Sequence, residues 1–294
     1  MVWQTVGFEK NKKLFENAMK DGSLIHAYLF SGQEMIGKRT FAIELASLVT
    51  RLRGSTSKYL EVEPLSNPDI LVVNAASSES GQTIAIEEIR KIKIFVFFRP
   101  YASSRKFIII DDAHLMTVEA QNALLKILEE PSASSILVLV TAYPEALLPT
   151  INSRCQEIKF FPHPRRSVDT VLADAKLSKT NREFLAEFAG GRIGLVKKVI
   201  AENSFEQIEG AIKKIMHLAK ADINERLEVA QKLTDEKHKA ELPRLVFYWT
   251  LYLRTRLVEP KAQKMLKGLL VLNEIVNKPQ YNQRLALENF LVSL

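Results

Sequence analysis

Four short apolar runs punctuate the first half of the chain: Ala27–Phe30, Ile70–Val73, Phe107–Ile110 and Ile136–Val140. Consecutive apolar residues, rather than alternating ones, predict strands buried on both faces. Glu157–Phe160 reads as a fifth strand. Between the runs, Arg39–Leu52, Ile86–Phe97 and Val118–Glu129 carry helical patterns; in the second, apolar residues fall at 86, 89, 92 and 96. Strands alternating with helices predict an α/β module, a parallel sheet with helices on both faces.

The rhythm breaks at Phe161-Pro162-His163-Pro164-Arg165-Arg166, where two prolines stop both helix and strand. A domain boundary is placed there, giving an α/β domain over 1–162. Ser167–Lys176, Lys179–Ala189 and Gly194–Glu202 read as three short helices of a small lid domain over 163–204, with Gly190-Gly191 ending the middle one. From 205 to 294 the pattern is of longer helices, with breaks near 221–222, 235–236, 259–260 and 278–279. Phe247, Trp249, Leu251 and Leu253 crowd one of these helices, which predicts a central member of an all-α bundle and a core role for its aromatics.

Composition narrows the class. Of 294 residues, 47% are hydrophobic and 26% charged, ordinary for a soluble protein. No apolar run approaches the roughly 18 residues that span a bilayer, and the start, Met1-Val2-Trp3-Gln4, does not read as a signal peptide. The single cysteine, Cys155, excludes an internal disulfide framework and any multi-cysteine zinc site within the chain, so a reducing cytoplasm is expected. His26, His114, His163, His217 and His238 show no metal-ligand spacing. A net charge of +7 permits contact with nucleic acid without requiring it; Arg90, Lys91 and Lys93 are candidate phosphate contacts.

Gly32-Gln33-Glu34-Met35-Ile36-Gly37-Lys38 follows a strand and opens a helix, as a phosphate-binding loop does. Such a loop turns its N–H groups and the helix N-terminus toward an anion, and the lysine reaches the terminal phosphates. The next residue is ordinarily Ser or Thr, whose hydroxyl binds magnesium; here it is Arg39. Thr40 is about 100° further round the helix and cannot replace it. Glu34 adds a negative charge to the loop. Asp111 stands where the acidic metal ligand at the end of a buried strand belongs, and Asp112 where a longer, water-activating glutamate is expected. Nucleotide binding is expected to be weak or absent, any vestige of it resting on Gly32, Gly37, Lys38, Asp111, Asp112 and Thr141. Cys155 reads as a small packing residue rather than a nucleophile.

Three strings resemble bacterial DNA clamp-loader subunits of the AAA+ family: 113–116 (Ala-His-Leu-Met), 120–131 (Ala-Gln-Asn-Ala-Leu-Leu-Lys-Ile-Leu-Glu-Glu-Pro) and 147–155, which ends Ser153-Arg154-Cys155. Trp3, Gly7, His26–Phe30, Asn67-Pro68-Asp69 and 282–288 fit as well. The resemblance implies an AAA+ module, a helical lid and a C-terminal oligomeric collar. It is strongest to members that do not hydrolyse ATP, because the nucleotide motifs are degraded while Ser-Arg-Cys is intact. In the lid, Gly191-Arg192-Ile193-Gly194 puts Gly194 where an ATPase would carry a sensor arginine. The resemblance further implies that Arg154 serves in trans as an arginine finger, within a DNA polymerase III holoenzyme containing tau/gamma ATPase subunits, a delta subunit, the sliding clamp and primed DNA. Many relatives carry a four-cysteine zinc module after the phosphate-loop helix; 51–68 here has no cysteine, so no zinc is expected. An active ATPase of the tau/gamma type is the alternative.

Overall fold

The structure, a computed structural model, describes residues 3–50, 67–77, 83–101, 103–175, 177–235, 241–276 and 281–294. Residues 51–66, most of the cysteine-free stretch 51–68, together with the predicted breaks at 236 and 278–279, Lys176 and His238, lie outside the described residues.

The chain separates into two compact units, Met1–Ser167 with Arg192–Gly194, and Val168–Gly191 with Leu195–Leu294. The first unit holds β1 (Ala27–Ser31), β2 (Ile70–Val73), β3 (Lys106–Ile110), β4 (Ser135–Thr141) and β5 (Gln156–Lys159). All pair in parallel, in the order β2-β3-β4-β1-β5. The helices are α1 (Glu9–Lys20), α2 (Lys38–Val49), α3 (Ile86–Phe97), α4 (Val118–Glu129) and the one-turn α5 (Pro149–Asn152). Every residue of β1, β3 and β4 is buried. One sheet face packs on Ile89, Ile92, Leu124 and Leu128 of α3 and α4; the other packs on Phe15, Phe41 and Leu45 of α1 and α2. Each buried Leu, Ile or Phe contributes about 1.5–3 kcal/mol, so the two-sided sheet follows from its continuous apolar strands.

The order places β1 at the point where the winding reverses. After β1 the chain crosses to β2, returns through β3 and β4, and then adds β5 on the far side of β1. Ligand crevices of parallel sheets lie beyond the carboxyl ends of strands at such a reversal. The phosphate loop and Asp111 follow the ends of β1 and β3, and Thr141 is the last residue of β4.

α1 was absent from the sequence reading. Its stretch Glu9–Lys20 is rich in lysine and turns only a narrow stripe inward, centred on the fully buried Phe15. The N-terminal strap is pinned across α2. The buried carboxylate of Glu44 accepts from the N–H groups of Gln4 and Thr5 and from the Thr5 hydroxyl, and Trp3 stacks on Phe41 at 4.8 Å.

The second unit is helical: α6 (Arg165–Ala173), α7 (Lys179–Phe188), α8 (Ile193–Glu202), α9 (Phe205–Leu218), α10 (Ile223–Thr234), α11 (Leu242–Arg254), α12 (Pro260–Val276) and α13 (Gln283–Val292). α6 and α8 start in the first unit. α6 begins at Arg165, directly after Pro164, and the division between the two units falls within it, after Ser167. The segments expected as a separate lid group with the C-terminal helices instead of forming a third unit. Trp249 of α11 is fully buried and donates through Nε1 to the Ala211 carbonyl at 2.7 Å. Leu251 and Leu253 are buried beside it and Phe247 is half-buried, which makes the aromatic cluster core. Among the described residues no helix is long and apolar enough to cross a membrane.

Candidate functional site

The loop after β1 has the backbone of a phosphate loop. Gly32 and Gly37 take φ of 145° and 108°, and Met35 is left-handed at 58°. At Gly32 a Cβ would sit 2.3 Å from the Phe160 carbonyl oxygen, so only glycine fits there. From outside, His163 Nε2 donates to the Ile36 carbonyl at 2.9 Å. Phe8 packs on both the His163 and Phe160 rings. The loop is therefore a fixed feature, braced by groups that the sequence reading did not single out.

Its contents do not suit a magnesium nucleotide. Lys38 is buried, and its Nζ donates to the loop's own carbonyls at Gly32 and Gln33, both at 2.6 Å. Desolvation pulls its pKa down to about 8, against the opposing pull of Asp112, Glu34 and Asp111. Arg39, at the magnesium-ligand position, turns its Nε to Asp111 Oδ2 at 3.2 Å. The charge that a metal would place against Asp111 is supplied by a covalently attached guanidinium, which donates hydrogen bonds and cannot share a metal ion with a carboxylate. Thr40 is exposed. Burial, together with the Asp112 charge, raises Asp111 to about 6 even with Arg39 beside it.

Asp112 is exposed, in left-handed backbone at φ 50°, at the start of the turn 113–115; its side chain makes no capping bond. Thr141, at the end of β4, is fully buried; its hydroxyl accepts from the Tyr143 N–H at 3.0 Å and shares a bond with His114 Nδ1 at 3.2 Å. Burial lowers the pKa of His114. Gly194, at the start of α8, lies against the loop: a Cβ there would fall 2.5 Å from the Met35 carbonyl oxygen. No side chain fits at 194, arginine included.

The Ser153-Arg154-Cys155 segment follows α5, away from these groups in sequence but tied to α4. Gln121, buried on α4, accepts from the Leu148 N–H at 2.8 Å and donates to the carbonyls of Met116 and Ala146 at 3.3 and 3.4 Å. Ser153 and Arg154 are exposed. Arg154 Nη1 donates to the Thr150 carbonyl at 3.1 Å, and Nη2 to Glu129 Oε1 at 2.9 Å. Cys155 is half-buried against the α3–α4 side of the core, and burial pushes its thiol up to about 12, which leaves it inert at neutral pH.

The basic residues of α3 are exposed, two of them paired with a glutamate one turn back. Arg90 pairs with Glu87 at 3.5 Å and Lys91 with Glu88 at 2.6 Å, while Lys93 is exposed. The same helix ends in the exposed rings of Phe97 and Phe98. Among the described residues, no three His, Cys, Asp or Glu side chains are grouped to hold a metal ion.

A five-stranded parallel sheet with a phosphate loop after β1 and an acid after β3 defines a P-loop module of the AAA+ class, here with the metal position filled by arginine. Residues 7–164 match the family model described as DNA polymerase III, delta subunit, and the chain belongs to that family, within the clamp-loader group whose motifs it carries. The DNA polymerase III subunit delta' of Pseudomonas aeruginosa is 30% identical over 234 residues, 76% of this chain and 69% of that protein. The delta' subunit of Bacillus subtilis is 33% identical over 180 residues, 59% of this chain and 54% of the relative. The gamma/tau subunit of Mycobacterium tuberculosis is 32% identical over 177 residues; that match covers 58% of this chain and only 30% of the relative's length. A gamma subunit-related protein from Thermotoga maritima shares the fold, with a TM-score of 0.54 at 22% identity over 95% of this chain and 97% of that one.

Proposed function

We propose that this chain is a non-hydrolysing subunit of a DNA polymerase III clamp loader, and that it supplies Arg154 to ATP bound on an adjacent tau/gamma-type subunit. The observation that carries the first half is the Arg39–Asp111 pair, which sets a guanidinium where magnesium would meet that carboxylate. The intact Ser153-Arg154-Cys155 segment, with Ser153 and Arg154 exposed, supports the second. An arginine supplied across an interface stabilises the charge that develops on the γ-phosphate during transfer, and in well-studied systems is worth about 10³–10⁵ in rate. The partners on this reading are tau/gamma and delta subunits, with the sliding clamp and primed DNA engaged through the complex. The helices from 205 to 294 would form the collar, and the chain would work in the cytoplasm with no zinc and with at most weak, vestigial nucleotide binding of its own.

The matches to gamma/tau proteins favour one competing reading, an active ATPase that tolerates Arg39. Two measurements separate them. The purified chain should not turn over ATP, and Arg154→Ala should cut the DNA-stimulated ATPase of the assembled complex without preventing assembly. Turnover by the purified chain would establish the competing reading; unchanged ATPase in the Arg154→Ala complex would remove the arginine's role.

A further inference from the structure

Arg154 is exposed, yet it is not loose. It follows α5, whose single turn leaves carbonyls without helical partners, and Nη1 takes one of them, that of Thr150, at 3.1 Å. Nη2 takes Glu129 Oε1 at 2.9 Å. Glu129 is the last residue of α4, so the two anchors belong to different helices. Those helices form one frame. Thr117 caps the start of α4 by accepting from the Ala120 N–H, and Gln121 of α4 accepts from the Leu148 N–H, immediately before α5. The guanidinium is thus held at both terminal nitrogens, by a backbone carbonyl of α5 and by the half-exposed carboxylate of Glu129 at the end of α4. Arginine has five N–H donors, and these two bonds leave three, including Nε–H, for a phosphate oxygen outside the chain.

We infer that Glu129 is a positioning residue for Arg154, fixing the direction in which the guanidinium leaves the α4–α5 frame; this rests on the reading that Arg154 acts on a neighbour's ATP. Glu129 touches no reacting atom. Its carboxylate narrows the rotamers of a long side chain before the subunits meet, so the docked complex does not have to order it. A charge-assisted bond to a carboxylate does this better than one to a neutral amide, because it is shorter and stronger. A misplacement of about 1 Å at a reacting group can cost 10²-fold, and a side chain that spends part of its time displaced costs a fraction of that.

The test is made in the complex reconstituted with tau/gamma and delta subunits, comparing Glu129→Gln, Glu129→Asp, Arg154→Ala and the double variant Glu129→Gln/Arg154→Ala. Glu129→Gln should lower kcat about tenfold with KM for ATP and complex assembly unchanged. Glu129→Asp, which keeps the charge, should recover most of the loss. The double variant should be no slower than Arg154→Ala alone, because a residue that acts through Arg154 has nothing left to act on. Full activity in Glu129→Gln beside an impaired Arg154→Ala would overturn the role of Glu129 and leave that of Arg154 standing, as would losses that multiply in the double variant. Full activity in Arg154→Ala would overturn both.

Discussion

Arg39 and Asp111 stand at the two positions from which a phosphate-loop protein holds its metal, and here they hold each other, Nε to Oδ2 at 3.2 Å. The arginine side chain is about half exposed, at 48%, and the aspartate almost covered, at 16%. The pair therefore reads as a cation drawn in to serve a buried acid. Removing the acid leaves an arginine that can turn to solvent, whereas removing the arginine leaves an acid that cannot.

Substituting Arg39→Thr should consequently open the pocket to metal. Threonine restores the hydroxyl ligand and frees Asp111 for magnesium. Magnesium-dependent nucleotide binding, followed by calorimetry with and without chelator, should strengthen by at least about tenfold, or 1.4 kcal/mol. Hydrolysis should stay at background, because Asp112 is still short by a methylene and position 194 still offers no arginine. A chelator-insensitive gain would mean that Arg39 had been repelling something other than metal.

Asp111 also sets a pH signature. Its folded-state pKa of about 6 lies above the ordinary 3.8. Between those values the folded state binds more protons than the unfolded, so the contribution of this group to stability is fully present below about pH 4 and is lost as pH rises through 6. Asp111→Asn removes the titration. The stability of the wild-type chain relative to Asp111→Asn should thus increase from pH 7 to pH 4, by at most about 3 kcal/mol at 1.36 kcal/mol per pH unit. Denaturant titrations of both proteins across that range give the difference directly. A flat difference would mean that Arg39 holds the carboxylate at its ordinary value.

Gln121 ties α4 to the segment that carries Arg154. Replacing it with leucine keeps the volume but strands the Leu148 N–H and two carbonyls. An unsatisfied buried polar group costs about 1–3 kcal/mol, so Gln121→Leu should lower the melting temperature by several degrees. In the reconstituted complex it should also lower kcat, since both anchors of Arg154 shift with the frame. A variant as stable as wild type would show that the amide bonds are incidental to the packing.

The chain announced some of this and hid the rest. β1, β3 and β4 were legible because strands buried on both faces must be continuously apolar. The phosphate loop and Asp111 were legible because their spacing along the chain is what the chemistry requires. Arg39 could be seen to exclude a hydroxyl, but its partner could not be named, since nothing in the sequence says that α2 brings it to the end of β3. Glu129 sat inside a recognised string, and its contact with Arg154 depends on how α4 and α5 lie together. α1 was missed because lysines dominate it and one phenylalanine does most of its packing. The grouping of α7 with the C-terminal helices was hidden for a similar reason: an amphipathic pattern says that a face is buried and not against what.

Gly194 and Gly210 separate two reasons for a glycine in a helix. Gly194 lies where α8 meets the loop, and a Cβ would fall 2.5 Å from the Met35 carbonyl oxygen and 3.0 Å from its carbon. Both are backbone atoms, so neither can swing aside. Gly210, inside α9, has nothing within 4 Å of its would-be Cβ. Alanine at 194 should force the start of α8 off the loop and destabilise the protein by about 1–3 kcal/mol, the usual range for an overpacked core. Alanine at 210 should stabilise it by about 0.5–1 kcal/mol, because glycine gives up more backbone freedom in a helix. Thermal melts of the two variants should therefore move in opposite directions from wild type. If Gly194→Ala melts with the wild type, the backbone at Met35 gives way to the added methyl without cost.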